Sequence, residues 1–435
     1  MSILLQKVKD KKCVISVIGL GYVGLPLAVE FAKSGFSVYG IDLIKRKVEL
    51  LKKGKSYIID VDENDVKNVV GKNFHPTTDY SVIKKSDCVL IAVPTPLQKS
   101  KDPDVSYITA AMDGIVKYLH KDMLIVLEST TYPGTTRELI ADRVSKYGYK
   151  IGKDFFVAFS PERVDPGNPK YNTKNTPKVV GGITGKDTLI TKMLYEQVIE
   201  KIITVNSPEE AEMVKLLENT FRAVNIGLVN ELAIMCHRMG IDIWNVIEAA
   251  SSKPFGFMPF YPGPGIGGHC IPLDPMYLSW KAKMYDYYNR FIELSSDVNS
   301  NMPRFVVNKV SEILNKHKKT LNGSKILLMG ITYKKDIDDL RESPSLEVYH
   351  LLKEMGAIVT VYDPMVNSFI DEKGEHKKVK VITKINENKV KKFDCVILLT
   401  NHSSFDYRMI AKNAKIIFDT RNGFKGIKSK KIIKL

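Results

Sequence analysis

Two stretches of the chain combine residue types and spacings suited to chemistry. The first is Gly19-Leu-Gly21-Tyr22-Val23-Gly24, which follows the apolar run 13–18 and opens a helical pattern over about 22–34. Asp42 stands eighteen residues after Gly24, at the end of the next apolar run. In that setting the glycines allow a tight turn, close approach of a pyrophosphate and packing of helix on strand. The N–H groups at the helix start bind phosphates, and Asp42 accepts from ribose hydroxyls. A 2′-phosphate would face that carboxylate, so NAD is favoured over NADP, although Lys45, Arg46 and Lys47 are cations able to hold one. Hydride transfer is the default chemistry of such a site.

The second stretch is Gly263-Pro-Gly265-Ile-Gly267-Gly-His269-Cys270-Ile-Pro-Leu-Asp274. Cys13, Cys88 and Cys395 fall in apolar strand patterns and Cys236 in a helical one, as small buried hydrophobes do. Cys270 instead lies among glycines that let the backbone approach a ligand and leave little to bury the sulfur. No second Cys or His stands at ligand spacing from His269, which argues against a metal site. A nicotinamide site together with a nucleophilic cysteine points to aldehyde-level chemistry. Thiolate addition supplies the tetrahedral adduct from which hydride leaves, and water cleaves the resulting thioester. Lys215 and Asn219 form an i,i+4 pair on one helix face. Together they offer a cation and an amide to a developing oxyanion, with a plain solvated lysine as the other reading of Lys215.

The surrounding elements must position these residues. Apolar strand patterns recur at 87–94, 123–130 and 155–160, alternating with helices as in a parallel doubly wound sheet. Ser207-Pro208-Glu209-Glu210 reads as a helix start, and the pattern runs to Met239 before Gly240. The middle region has almost no strand signal. After Asn322-Gly323 the alternation returns, with strands at 325–330 and 357–363 around a helix at 344–355. The run 85–92 has a counterpart at 392–399. The expected fold is α/β, two Rossmann-like doubly wound parallel-sheet domains joined by a helical central domain, divided as 1–206, 207–309 and 310–435.

Composition sets the outer limits. The 435 residues are 44% hydrophobic and 26% charged, a soluble globular balance that excludes disorder and collagen-like repeats. No apolar run nears the roughly 18–20 residues of a membrane helix. Ile3-Leu-Leu5 is too short for a secretory signal, and five cysteines do not suggest a disulfide framework, so the cytoplasm is expected. A net charge of +16 favours anionic partners. It also motivates a reading of another class, a basic nucleotide-sensing or nucleic-acid-binding protein with a vestigial Rossmann unit. Against that reading, no aromatic-interleaved basic motif or helix-turn-helix signal appears, and a sensor has no use for Cys270, Lys215 and Asp274. The lysines after Arg421 read as a solvated terminus.

Together the run 263–275, Glu212-Met-Val-Lys215-Leu-Leu-Glu-Asn219 and the 19–24 turn resemble the UDP-glucose/GDP-mannose dehydrogenase family. Lys334-Lys-Asp-Ile-Asp-Asp-Leu-Arg341-Glu-Ser-Pro344 fits the same family. The resemblance implies an NAD domain, a helical dimerisation domain, hence a homodimer, and a UDP-sugar domain. It implies two successive oxidations at sugar C6, from alcohol to carboxylate, for polysaccharide precursor synthesis. A simple two-electron dehydrogenase that stops at the aldehyde is the alternative, and NADH formed per sugar separates the two.

By resemblance Cys270 is the nucleophile, Lys215 stabilises oxyanions and Asp274 acts with it as base. Glu162 assists thioester hydrolysis and Thr130 holds a water. The cofactor set comprises Gly19, Gly21, Tyr22, Val23, Gly24, Asp42, Lys47, Pro94, Thr95, Ser129, Thr130 and Arg341. Glu162, Arg163, Val164, Lys215, Asn219, Tyr261, Gly265, Gly267, Lys334 and Arg421 line the substrate. The run 160–168 and the stretch 253–263 are similar to members acting on UDP-N-acetylhexosamines, UDP-N-acetylglucosamine first, with UDP-N-acetylmannosamine and UDP-glucose as alternatives. No metal, nucleic acid or membrane partner is expected.

Overall fold

Runs such as Met123-Leu-Ile-Val-Leu127 leave no polar face, so a sheet built from them must be covered on both sides. The computed structural model describes residues 3–58, 60–98, 102–165, 168, 170–374 and 376–435. Its contacts group the chain into two compact units, Met1–Glu218 with Met276–Tyr287, and Asn219–Pro275 with Tyr288–Leu435.

In the first unit the strands are β1 (Val14–Ile18), β2 (Ser37–Ile41), β3 (Phe74–Thr77), β4 (Cys88–Ile91), β5 (Met123–Leu127), β6 (Phe155–Phe159), β7 (Lys178–Gly182) and β8 (Ile202–Thr204). Among the described residues they form one sheet in the order β3-β2-β1-β4-β5-β6-β7-β8. The two-residue period of a strand sorts the side chains between its faces. Leu90, Leu124 and Val126 join a buried cluster with Leu27 and Phe31 of the helix Gly24–Lys33, while Val89, Ile91, Met123, Ile125 and Leu127 join a second with Ile108 and Met112.

The pairings from β3 through β6 are parallel. The β6–β7 pairing is antiparallel, a reversal at one seam of a sheet whose other described pairings are parallel, as expected of a doubly wound domain. A parallel neighbour needs a long crossover, usually helical, and the described part of the 160–177 connection contains no helix.

Ser207 caps the helix Pro208–Met239, accepting from Glu210 N–H at 3.2 Å, and Gly240 ends it at φ +72°, as the residue types lead one to expect. In the second unit Val229, Ala233 and Cys236 of this helix pack on Trp244 and Ile247 of the helix Ile243–Ala250.

The alternating half follows with β9 (Lys325–Met329), β10 (Ile358–Tyr362), a hairpin β11 (Ser368–Ile370) and β12 (Lys378–Lys380), then β13 (Cys395–Leu398), β14 (Ile417–Asp419) and β15 (Ile432–Lys434). The main sheet is parallel throughout, in the order β10-β9-β13-β14-β15. The lysine-rich tail is thus a solvated terminus only in part: Lys425, Lys428, Lys430 and Lys431 are exposed, but the chain end is held by the sheet. Ile432 and Ile433 lie on the edge strand, Leu435 is buried, and Lys434 pairs with Asp242 at 2.9 Å.

The internal resemblance has a structural basis. Asp87 accepts from the N–H of Val14 at 2.9 Å and from Lys7 at 2.6 Å; Asp394 accepts from the N–H of Lys325 at 3.0 Å and from Lys319 at 2.5 Å. Each carboxylate thus ties the entry of its own strand to the start of the neighbouring one. Among the described residues no helix is long and apolar enough to cross a membrane.

Candidate active site

The glycine turn leaves β1 at the carboxyl edge of the first sheet, where helix N–H groups and open strand ends meet. Its three glycines are required for three different reasons. Gly19 sits at φ +90°, and a Cβ there would lie 2.5 Å from the Ala92 carbonyl oxygen. A Cβ on Gly24 would lie 1.9 Å from the Gly19 oxygen, so this residue lets the helix pack on the turn. A Cβ on Gly21 would meet nothing within 4 Å, which leaves space for a ligand at the helix start. Tyr22 is exposed beside it, and Val23 precedes the helix.

Asp42 is buried. One oxygen accepts from Leu20 N–H at 3.0 Å and Lys47 at 3.3 Å, the other from Ile44 N–H at 2.9 Å. A carboxylate has about four lone-pair sites, so one remains for a ribose hydroxyl. The turn and Asp42 thus fit a dinucleotide. Lys47 is neutralised by Asp42, while Lys45 and Arg46 point to solvent.

The ends of β4 and β5 are joined to one another. Ser129 donates to Val93 O at 2.7 Å and Thr95 to Thr130 O at 2.6 Å, which brings Pro94, Thr95, Ser129 and Thr130 together. In the loop after β6, Glu162 Oε1 accepts from the N–H groups of Arg163 and Val164, both at 2.7 Å. The Arg163 guanidinium is engaged by Glu218 at 2.6 Å and by the Pro177 carbonyl at 2.6 Å, so it braces the loop. Pro166 and Gly167 of the same run lie outside the described residues. Lys215 is half-buried on the helix Pro208–Met239, one turn from Asn219.

In the second unit Cys270 is partly exposed, whereas the other four cysteines are buried. Its carbonyl accepts from the N–H groups of Leu273 at 3.1 Å and Asp274 at 2.8 Å, a turn that leads into the helix Asp274–Lys283. Asn219 donates to the buried Asp274 carboxylate at 2.5 Å, so one of its amide hydrogens serves Asp274 rather than an oxyanion.

The glycines before Cys270 approach the chain itself. A Cβ on Gly263 would lie 2.4 Å from the Arg421 guanidinium, one on Gly265 2.9 Å from Pro344, and one on Gly267 2.5 Å from Tyr333. This close packing against protein gathers Arg421, the 333–344 loop and the cysteine loop. Gly268 N–H donates to Arg341 O at 3.0 Å, while the Arg341 guanidinium pairs with Asp339 at 2.6 Å. Burial, reinforced by Arg341, depresses the His269 pKa. Arg421 donates to Leu399 O at 2.9 Å, and loss of solvent around it lowers the guanidinium pKa to about 10, still protonated at neutral pH. Exposed Tyr261 stacks on Trp244 at 6.1 Å, and Lys334 follows Tyr333 on its loop.

Several contributors carry no sequence signal, because each acts through burial and a distant partner. In the first unit these are Glu128 with Lys178 at 2.6 Å, and Glu212, which accepts from Gly134 N–H at 2.6 Å and Thr136 N–H at 2.8 Å. Burial pushes Glu212 up to about 7 despite those donors. In the second, buried Asn230 accepts from Gly263 N–H at 2.9 Å and donates to Asn299 at 2.9 Å, anchoring the glycine loop.

Three family models match the chain: the UDP-glucose/GDP-mannose dehydrogenase family NAD binding domain over residues 13–199, its central domain over 209–301 and its UDP binding domain over 327–426. The UDP-N-acetyl-D-glucosamine 6-dehydrogenase of Pseudomonas aeruginosa is 35% identical over 95% of this chain and 97% of its own. A UDP-N-acetyl-D-mannosamine dehydrogenase of Methanococcus maripaludis is 34% identical over 94% and 92%. The solved UDP-D-ManNAc dehydrogenase of Pyrococcus horikoshii superposes with a TM-score of 0.87 at 32% identity, covering 97% of this chain and 98% of that one.

Proposed function

Because the chain belongs to the UDP-glucose/GDP-mannose dehydrogenase family, and is thus an NAD-dependent nucleotide-sugar dehydrogenase, we propose that it oxidises C6 of a UDP-N-acetylhexosamine, UDP-N-acetylglucosamine first, to the carboxylate. The observation that carries the four-electron reading is Cys270. It is the partly exposed cysteine among five, held by a turn whose next polar side chain is Asp274.

The 19–24 turn and Asp42 would hold NAD, which would supply the hydride acceptor for each of the two oxidations. Asp274 takes the C6 hydroxyl proton, aided by Lys215. Cys270 thiolate then adds to the aldehyde carbon, and the second hydride leaves that adduct as a thioester. Water, steered by Thr130 and deprotonated by Glu162, releases the acid. Asn219 orients Asp274. Arg421, Lys334 and Tyr261 hold the UDP-sugar, the cations matching the charge of its diphosphate.

The division 1–206, 207–309 and 310–435 belongs to the same proposal, as does a homodimer. Exposed Leu228 and Met235 on one helix, with Phe291 and Leu294 on another, support the dimer. The placement in the cytoplasm and in polysaccharide precursor synthesis is likewise proposed.

The substrate preference rests on the 160–168 run and on the 35% identical relative; the mannosamine reading rests on the Pyrococcus structure. NADH production with UDP-GlcNAc, UDP-ManNAc and UDP-Glc side by side decides between them. The expected order of kcat/KM has UDP-GlcNAc first, and equal or higher values on either of the others refute it. An acetamide pocket discriminates by a few kcal/mol, about 10- to 200-fold.

A further inference from the structure

The first unit contains an ionic cluster that none of the proposed catalytic roles uses. Glu128 and Lys178 are 1% and 5% exposed, and Tyr195 is fully buried. Lys178 Nζ donates to Glu128 Oε2 at 2.6 Å, Tyr195 donates its hydroxyl to Glu128 Oε1, and Lys178 stands 5.0 Å from the centre of the Tyr195 ring. Burying two charges costs more in desolvation than their attraction returns unless geometry and further hydrogen bonds compensate. A packed apolar pair would hold the sheet equally well. Stability alone therefore gives a weak account of the cluster.

Its remaining contact is informative. Lys178 also donates to the Pro161 carbonyl at 3.4 Å, one residue before Glu162. Its chain neighbours grip the same loop from either side. Ser160 donates to Val179 O at 2.7 Å, and Arg163 donates to Pro177 O at 2.6 Å. Residues 177–179 thus bind the loop at 160, 161 and 163 and leave Glu162 fixed between them. The other end of the cluster, Glu128, is one residue before Ser129 and two before Thr130. The antiparallel turn-back of β7 on β6 is what brings Lys178 to this place.

We propose that Lys178, with Glu128 and Tyr195, is a positioning residue for thioester hydrolysis, locking the Glu162 loop to the Ser129-Thr130 turn. This rests on the four-electron reading of Cys270. In the step concerned, the oxygen of water bonds to the thioester carbon and one water proton passes to the Glu162 carboxylate. The C–S bond breaks, returning Cys270 as thiolate and the sugar as the carboxylic acid, which then ionises. Glu162 Oε1 is held by two backbone N–H groups, so Oε2 receives the proton. A loop displaced by about 1 Å would cost this step on the order of 100-fold while leaving the preceding oxidations intact.

The test uses the full-length enzyme with the UDP-sugar it turns over and NAD, followed by rapid-quench NADH measurement and intact-protein mass. Three variants are compared with wild type: Glu162→Gln, the charge-neutral double Glu128→Gln/Lys178→Met, and Tyr195→Phe. The double variant avoids leaving one buried charge alone. It should keep the wild-type kcat/KM and NADH burst, slow steady turnover roughly 10- to 100-fold with a parallel fall in KM, and accumulate a thioester mass on Cys270. Tyr195→Phe, which removes one hydroxyl, should show the same pattern several-fold more weakly, and it decides the matter if the double variant is insoluble. A folded variant with wild-type turnover, or one whose burst and steady rates fall equally, overturns the proposal. Glu162→Gln reports on the premise: no thioester there refutes hydrolysis of a Cys270 thioester by Glu162, whereas thioester there and none in the other variants refutes only the role of the cluster.

Discussion

Gly21 and Gly24 belong to one motif, yet alanine at the two positions should fail in opposite ways. At Gly24 the new methyl group would lie 1.9 Å from the Gly19 carbonyl oxygen and 3.2 Å from the Ala92 side chain. Backbone cannot yield as a flexible side chain does, so the cost is about 3 kcal/mol or more. At roughly 2–4 °C per kcal/mol for a domain of this size, Tm should fall by about 6–12 °C. At Gly21 the same methyl group meets no protein atom within 4 Å, and the residue does not have a left-handed φ. Stability should therefore stay within about 0.5 kcal/mol of wild type. The methyl group would stand where the pyrophosphate approaches the helix N–H groups, so the Kd for NAD should rise about 10- to 100-fold, or roughly 1.4–2.8 kcal/mol. Thermal unfolding and calorimetric titration with NAD read the two effects separately. Wild-type NAD affinity in Gly21→Ala would show that the diphosphate does not use this turn. Wild-type Tm in Gly24→Ala would refute the packing argument.

Asp42→Ala should shift the kcat/KM ratio towards NADP by roughly 10- to 100-fold, since a charged hydrogen-bond acceptor worth about 1.5–3 kcal/mol is lost and Lys47, 3.3 Å away, is released; an unchanged ratio would mean the carboxylate does not face the ribose. Cys270→Ala should abolish uronic acid formation while leaving NAD and UDP-sugar binding intact, and in wild type iodoacetamide should label Cys270 before the four buried cysteines and be slowed by UDP-sugar. Acid formation at the wild-type rate would make Cys270 a packing residue. Glu212, raised by burial from 4.5 to about 7, contributes stability that is complete below pH 4.5 and lost as pH rises through 7. The unfolding free energy of wild type minus that of Glu212→Gln, read from denaturant unfolding at each pH, should therefore shrink as pH rises across this window, by about 3 kcal/mol at most; a difference that grows with pH would reverse that sign.

The sequence displays what local patterning controls. Apolar runs marked the central strands to within a few residues, Ser207 and Gly240 bracketed the long helix, and Gly19 and Gly24 have the turn and packing tasks their positions imply, with Gly21 facing open space. Parallel pairing followed from the alternation of strands with helices, but its one reversal in the first sheet was not legible. β7 runs against β6, and the described part of the intervening segment supplies no crossover helix; nothing within Lys178–Gly182 states which way it will lie. The lysines of the C-terminal tail mask an edge strand, because Ile432 and Ile433 make too short an apolar run to stand out among them. At the site, Cys270, Asp274 and Asn219 could be picked out by residue type, while their mutual arrangement depended on a turn and a buried hydrogen bond. Glu128, Lys178, Asn230 and Asn299 could not be picked out, since a buried polar residue differs from an exposed one only through partners far along the chain.

The two halves show how far a motif alone can be pressed. Asp42 and Asp363 each come directly after a parallel strand, and each accepts from the N–H after a left-handed glycine, Leu20 at 3.0 Å after Gly19 and Ile331 at 2.7 Å after Gly330. Each then accepts from the N–H two residues beyond itself, Ile44 at 2.9 Å and Met365 at 2.8 Å. The shared device is a carboxylate that clamps the turn leaving the first strand. Beyond the clamp the two halves differ. Thr332 stands where Gly21 would, its hydroxyl 3.1 Å from His402 Nε2, which is also 3.1 Å from Asp363. Burial would raise the Asp363 carboxyl, but His402 and the two N–H groups hold it below the usual range. His402 Nδ1 in turn accepts from Asp336 N–H at 3.0 Å, fixing the loop that carries Lys334. An acid at a strand end therefore reports the turn geometry common to both halves. It is the bare Gly21, with open space where the other half has a threonine and a histidine, that separates a dinucleotide cradle from a loop support.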